Sequence, residues 1–222
     1  MSSKKILIFI SFLIFFFSET LIVHSIEPDV FVQSTVNRAA KTLAGNFTKK
    51  ERIKKLKEIA SETVDISGIG NYTLGSYRKN INDEQMKEYK LLFEQYFLKS
   101  FSSRLAEYSN PEIEVTTKKK INENYTMVSS ILVSTDQRPA VKIDWRIYTK
   151  DPKNPMIRDL IIEGLSLVRT QKEEFSSIIQ NNDGDINALF VSLKSFIKWL
   201  LIKRNFWWAH QDSNLGPIHY EC

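Results

Sequence analysis

Asp144, Asp159, Glu163 and Ser166 are the side chains whose types and spacing come nearest to a catalytic set. Carboxylates can act as general acids and bases, and a serine can act as a nucleophile. Asp159 and Glu163 flank Leu160, Ile161 and Ile162, all β-formers, so the spacing predicts both carboxylates on one strand face. At roughly 3.3 Å per residue they would stand about 13 Å apart, too far for the carboxylate pair that cleaves glycosides. Ser166 sits in Gly-Leu-Ser, which lacks the rest of a nucleophile elbow. Arg146, Arg158 and Arg169 are near in sequence, so ion pairing is the structural reading of the acids. An enzyme would instead need Asp144 or Asp159 isolated in an apolar pocket.

The chain has three histidines, His24, His210 and His219, and one cysteine, Cys222. None of them lies between Ile26 and Leu200. A Ser-His-Asp triad, thiol catalysis, a Cys/His metal site and a disulfide are therefore excluded for that stretch, and no cofactor is called for. The net charge is +5, gathered in Lys49-Lys50, Lys54-Lys55 with Lys57, and Lys118 to Lys120. Such runs read as solvated faces, or as attraction to anionic lipid headgroups or an acidic partner. No recognition motif accompanies the charge, so nucleic acid is not an expected partner.

The two ends differ from the middle. Lys4 and Lys5 precede an apolar run from Ile6 to Phe17, and Val23-His24-Ser25 follows, the pattern of a secretory signal cut after Ser25. An uncleaved anchor would need about 20 apolar residues, and Glu19 interrupts the run. Residues 1–25 are thus expected to be a signal peptide and 26–200 a single exported domain. The run Gln211 to Pro217 resembles a read-through product, so 201–222 is expected to be a non-native or disordered tail, and His210, His219 and Cys222 are not read as a metal site. Three sequons begin at Asn46, Asn71 and Asn124 and are incidental in a bacterial periplasm.

Between the ends the hydrophobic period changes once. Pro28 suits the first turn of a helix running to Gly45, and Thr48 can cap a second with Ile53, Leu56, Ile59 and Ala60 on one stripe. Val64 to Arg78, with three glycines, reads as a short helix and tight turns. A long helix is expected from an Asn82 or Asp83 cap to Tyr108, with Met86, Tyr89, Phe93, Phe97, Phe101 and Leu105 at spacings of three and four. Ile113 with Val115, Tyr125 to Val133, Val141 to Tyr148 and Ile157 to Val168 then read as four antiparallel strands. Gln171 to Gln180 and a segment capped by Asp185 return to helix. This is an α+β plan in one domain.

Two segments carry a family resemblance. One is Asp159 to Phe175, with Asp-x-x-x-Glu-Gly-x-Ser, then Arg169, then a helix bearing Phe175. The other is Asp65, then Tyr72-Thr73-Leu74-Gly75-Ser76-Tyr77-Arg78. In this order and spacing they resemble the MlaC, or toluene-tolerance, family of periplasmic phospholipid carriers. The resemblance spans roughly residues 29 to 193, although Met156 stands where the family pattern would have Trp.

The resemblance implies a curved sheet of about four strands wrapped by helices, similar to the nuclear-transport-factor-like cone, with an apolar cavity for one or two diacyl lipids. It implies Asp65, Tyr72, Leu74, Gly75, Tyr77, Arg78, Asp159, Glu163, Gly164 and Ser166 as structural motif residues. The cavity walls would come from Phe93, Phe97, Phe101, Ile131, Val133, Ile143, Trp145, Ile147, Leu165, Leu167, Phe175 and Ile178. On pattern alone those residues favour a filled core, and only the resemblance points to a cavity. The implied role is a non-enzymatic monomer that carries phospholipid between an outer-membrane lipoprotein–porin complex and an inner-membrane ABC transporter. A hopanoid carrier, a cone-fold enzyme and a filled-core interaction module are the other readings.

Overall fold

The computed structural model describes residues 25–106, 111–136 and 138–211, with side chains described as far as Lys198. The expected signal peptide up to His24, Tyr108 and residues 212–222 lie outside the described residues. Helices α1 (Pro28–Ala44), α2 (Lys49–Thr63), α3 (Ile66–Thr73) and α4 (Asp83–Leu105) come first, with a 3₁₀ turn at Gly75–Lys79. Strands β1 (Ile113–Asn122), β2 (Tyr125–Leu132), β3 (Val141–Tyr148), β4 (Met156–Ile162) and β5 (Leu165–Ser166) follow, then α5 (Leu167–Gln180) and α6 (Ile186–Gln211). The expected α+β plan is the one observed, with the strands forming one curved antiparallel sheet in sequence order.

Local chemistry sets the helix starts. Thr48 accepts from the Glu51 N–H while the Glu51 carboxylate accepts from Thr48, and Asn82 and Gln85 make the same reciprocal pair. Pro28 occupies the first turn of α1, and Asp185 accepts from the Asn187 N–H at 2.9 Å ahead of α6. The last expected strand, Ile157 to Val168, is shorter than its β-formers suggest. Glu163 (φ 49°) and Gly164 (φ 83°) are both left-handed, so the chain reverses into the two-residue β5 and helix begins at Leu167. The sheet thus has five strands rather than four, and β1 extends to Asn122.

Both sheet edges are blunted. The Gln33 side chain of α1 donates to the Ile113 carbonyl at 3.3 Å and accepts from the Val115 N–H at 3.2 Å. One amide group thereby supplies the two hydrogen bonds that a neighbouring strand would make. On the far side the Asp65 N–H donates to the Ile157 carbonyl at 2.9 Å, so the segment between α2 and α3 covers the open start of β4.

One sheet face is buried under α1, α3, α4, α5 and α6. Its centre joins Val128, Trp145 and Ile147 to Val32, Leu74, Tyr89, Phe93, Phe175, Ile179 and Phe190. Gly70 lets α3 approach α4, because a Cβ there would lie 2.8 Å from a Phe93 ring carbon. Gly70→Ala gains roughly 1 kcal/mol of helix propensity but overpacks the core by about 1–3 kcal/mol. The expected net result is a loss of about 1 kcal/mol, seen as a fall in Tm of about 2–4 °C. A higher Tm would show that Phe93 has room to move aside.

Candidate functional site

The layer between sheet and helices is where the candidate wall residues meet. On β3 the pleat points Ile143, Trp145 and Ile147 inward, as their alternation predicts. Phe93 and Phe175 meet them from α4 and α5, with ring centroids 6.2 Å apart in an edge-to-face arrangement. Phe97, Phe101 and Ile178 pack against this cluster half-buried. Burial declines along α4: Tyr89 and Phe93 are closed off, whereas Phe97 and Phe101 stack at 5.6 Å with one flank still accessible.

Four candidates are not brought into this layer. Ile131 is 40 % exposed, because β2 turns Thr126, Val128, Ser130 and Leu132 inward and Ile131 therefore outward, opposite Lys142. A one-residue shift exchanges the two faces of a strand, and the odd-numbered Ile131 falls on the outer one. Val133 lies just past the end of β2, half-buried. Leu165 and Leu167 are 59 % and 40 % exposed at the rim, displaced there by the Glu163–Gly164 turn. Conversely Tyr89, Val128, Ile179, Phe190 and Leu193 belong to the interior although the pattern did not nominate them as walls.

Polar groups inside this layer are internally satisfied. The Trp145 indole N–H donates to Ser130 Oγ at 2.8 Å, and that hydroxyl donates to the Ile143 carbonyl at 3.2 Å. The Tyr89 hydroxyl donates to the Gly70 carbonyl at 3.1 Å and shares a 2.9 Å hydrogen bond with Thr73. Removal from water pushes the Tyr89 hydroxyl far above the usual tyrosine range. No carboxylate candidate stands alone. Asp144 accepts from Ser129 at 2.6 Å and lies 3.2 Å from the Lys142 ammonium. Asp159 is 3.3 Å from the Arg146 guanidinium. The arginine expected from sequence stands beside Asp159, Lys142 takes that place beside Asp144, and neither acid meets the isolated setting that an acid–base enzyme requires.

Two open clefts flank the layer, each lined by polar and apolar groups together. One of about 440 Å³ lies between α3 and α5, bordered by Tyr72, Arg169 and Lys172. The other, of about 730 Å³, lies between α1 and the start of β1. Among the described residues no group of three His, Cys, Asp or Glu side chains is placed to hold a metal ion.

The family sequence model described as MlaC protein matches residues 32–195, from within α1 to within α6, and so includes the whole sheet. The chain belongs to the MlaC family. Its fold is similar to that of a phospholipid-binding protein from Ralstonia solanacearum, solved in complex with a phospholipid, at a TM-score of 0.68. The two are 18 % identical, and the likeness covers 79 % of this chain and 99 % of the other. No curated protein matches the chain by sequence.

The motif residues of this MlaC chain are fasteners for helices. Asp65 accepts from the Gly68 N–H at 2.8 Å, capping α3, and is 2.6 Å from the Arg158 guanidinium. Arg158 also lies 3.6 Å from the Tyr148 ring centroid and donates to the Tyr125 hydroxyl. Ser166 caps α5 by accepting from the Arg169 N–H at 3.1 Å, and donates in turn to Asp159 at 2.7 Å. Glu163 is not on the Asp159 strand face; it sits in the turn and accepts from the Lys142 N–H. Leu74 is buried, and Gly75 holds φ 60° where a Cβ would press on Lys172. Tyr77 is half-buried on the core, Arg78 is exposed, and Tyr72 lies under the Lys172 ammonium at 5.1 Å, joining α3 to α5.

Two outcomes follow for stability. Asp159→Ala removes the acceptor for Ser166 and for the Val168 N–H, and should cost about 2–3 kcal/mol in urea unfolding. Asp159→Asn keeps an acceptor and should cost less; equal losses would mean that charge, not hydrogen bonding, sets the role. Tyr89 keeps its proton in the folded state at pH values where the unfolded chain loses it. Its contribution is therefore complete below about pH 10 and declines as pH rises beyond that. Tyr89→Phe should flatten this alkaline decline, measured as unfolding free energy against pH, and an unchanged slope would remove Tyr89 as its source.

Proposed function

We propose that this chain is a phospholipid carrier that holds acyl chains between the buried sheet face and α4, α5 and α6. The observation that carries the reading is its membership of the MlaC family over residues 32–195. The phospholipid held by the Ralstonia solanacearum protein of like fold supports it, as does an interior whose few polar groups bond to one another. The half-buried C-terminal part of α4, with Phe97 and Phe101, is the place where the layer parts most readily. Opening there exposes fewer closed contacts than parting the sheet from Tyr89 and Phe93.

Magnitudes decide how such a carrier works. Burying one CH₂ contributes about 0.8 kcal/mol, so two chains of about 15 carbons represent roughly 24 kcal/mol of gross transfer. The interior must imitate the membrane closely, or lipid would not leave it. No catalytic group is required, because loading and release exchange one apolar surrounding for another. The finer reading is that the exported protein works in the periplasm, moving phospholipid between outer and inner membranes to maintain outer-membrane asymmetry. It would dock on a lipoprotein–porin complex at one side and an ABC transporter at the other, as a monomer.

Native mass spectrometry of the full chain exported to a bacterial periplasm, with lipid extraction, tests the proposal. A mass raised by one or two diacyl lipids, identified as phospholipid, is expected. Loaded protein should also melt higher, since a ligand held at 100 times its Kd adds about 2.7 kcal/mol. A bare mass that stays bare after incubation with phospholipid vesicles would overturn the carrier reading.

A further inference from the structure

A second surface, apart from the interior, has a composition of its own. Helix α2 carries six basic residues, Lys49, Lys50, Arg52, Lys54, Lys55 and Lys57, against three acidic ones. Its excess of three charges is more than half of the chain's +5. The acids are already engaged. The Glu51 carboxylate folds back on Thr48 at 2.8 and 2.9 Å, and Glu62 meets Arg38 at 2.5 Å. Glu58 stands 3.9 Å from Lys54.

The opposite stripe of α2 is buried through Leu56, Ile59 and Ala60, so the lysines are held outward by packing. Leu43, Leu56 and Ala106 form a small core of their own, which brings the ends of α1 and α4 to this surface. Those ends add Lys41 and Arg104, both exposed. At the tip, Phe47 precedes the Thr48 cap with 36 % of its surface exposed, and the Lys55 ammonium lies 4.8 Å from its ring centroid.

We infer that the α1–α2 corner docks on an anionic phospholipid surface. Clusters of four to eight basic residues on an amphipathic helix attract such surfaces, and an exposed aromatic beside them can settle at headgroup depth. The residue type separates this from a protein partner. Five of the six cations on α2 are lysines, a residue depleted from protein–protein interfaces and suited as a compact, hydrated point charge to headgroups. The corner is a surface for touching membrane, whatever the interior holds.

Co-sedimentation of the full chain with vesicles of phosphatidylcholine, with and without phosphatidylglycerol, tests this. Binding is expected only with phosphatidylglycerol, and should fall as salt shortens the electrostatic range. Lys50→Glu, Lys54→Glu and Lys55→Glu together should weaken it more than about tenfold, and the same three changes to Gln should fall between that variant and wild type. Lys119→Glu with Lys120→Glu on β1 is the control and should leave it unchanged. No binding at low salt, a triple variant that binds like wild type, or equal weakening by the β1 control would overturn the inference. Lipid co-purifying with each variant, read by native mass spectrometry, should match wild type; its loss together with vesicle binding would trace the effect to the interior and overturn the corner.

Discussion

Arg158 and Asp159, adjacent on β4, each fasten the start of a helix to the sheet, Arg158 through Asp65 at α3 and Asp159 through Ser166 at α5. Two neighbouring residues of a regular strand point to opposite faces. Here the register slips between Arg146 and Ile147, pairing Asp159 with Arg146 but Ile157 with Ile147, so Arg158 is the extra residue of a bulge. The bulge separates Ile157, which faces the core, from Asp159, which faces Arg146. With α3 and α5 fixed at their first turns, Tyr72 and Lys172 come together and Phe175 is delivered onto Phe93. The apolar layer is therefore framed by ionic and capping contacts that lie outside it.

Within that frame the interior is apolar without being featureless. Tyr89, Thr73, Ser130 and Trp145 carry polar atoms into it, and each is matched by another group of the protein. A matched group presents little to an acyl chain beyond its carbon surface, since its hydrogen-bonding capacity is spent. The layer can thus be held in a defined shape by specific bonds and still present hydrocarbon-like walls.

Sequence reasoning read some of this directly and could not have read the rest. Cap residues Thr48, Asn82 and Asp185 signal their helices because the chemistry is local, and the alternation of β3 is unbroken by polar intruders. On β2 the inward Thr126 and Ser130 disguise the buried face, and only the Trp145 indole on the neighbouring strand, which donates to Ser130, explains why a hydroxyl is admitted there. The start of α5 was hidden because Leu165 and Leu167 suit a strand as well as a helix. Glu163 in a left-handed conformation gives no composition cue, and neither does a bulge at an arginine. The interior positions of α4, β3 and α5 follow from periodicity, whereas those of α6 depend on which way a distant helix is turned.

Gln33 has a bearing on how copies of this protein meet. Strand β1 is a sheet margin, and identical margins from two molecules would ordinarily be able to zip together. The Gln33 amide closes the first part of that seam at Ile113 and Val115. Beyond it the register slips after Val115, and Lys119 and Lys120 follow Lys118, which is already paired with Glu27 and Asp29, so two like margins would bring positive charges together. A single glutamine and two lysines thus make this margin a poor template for a second strand.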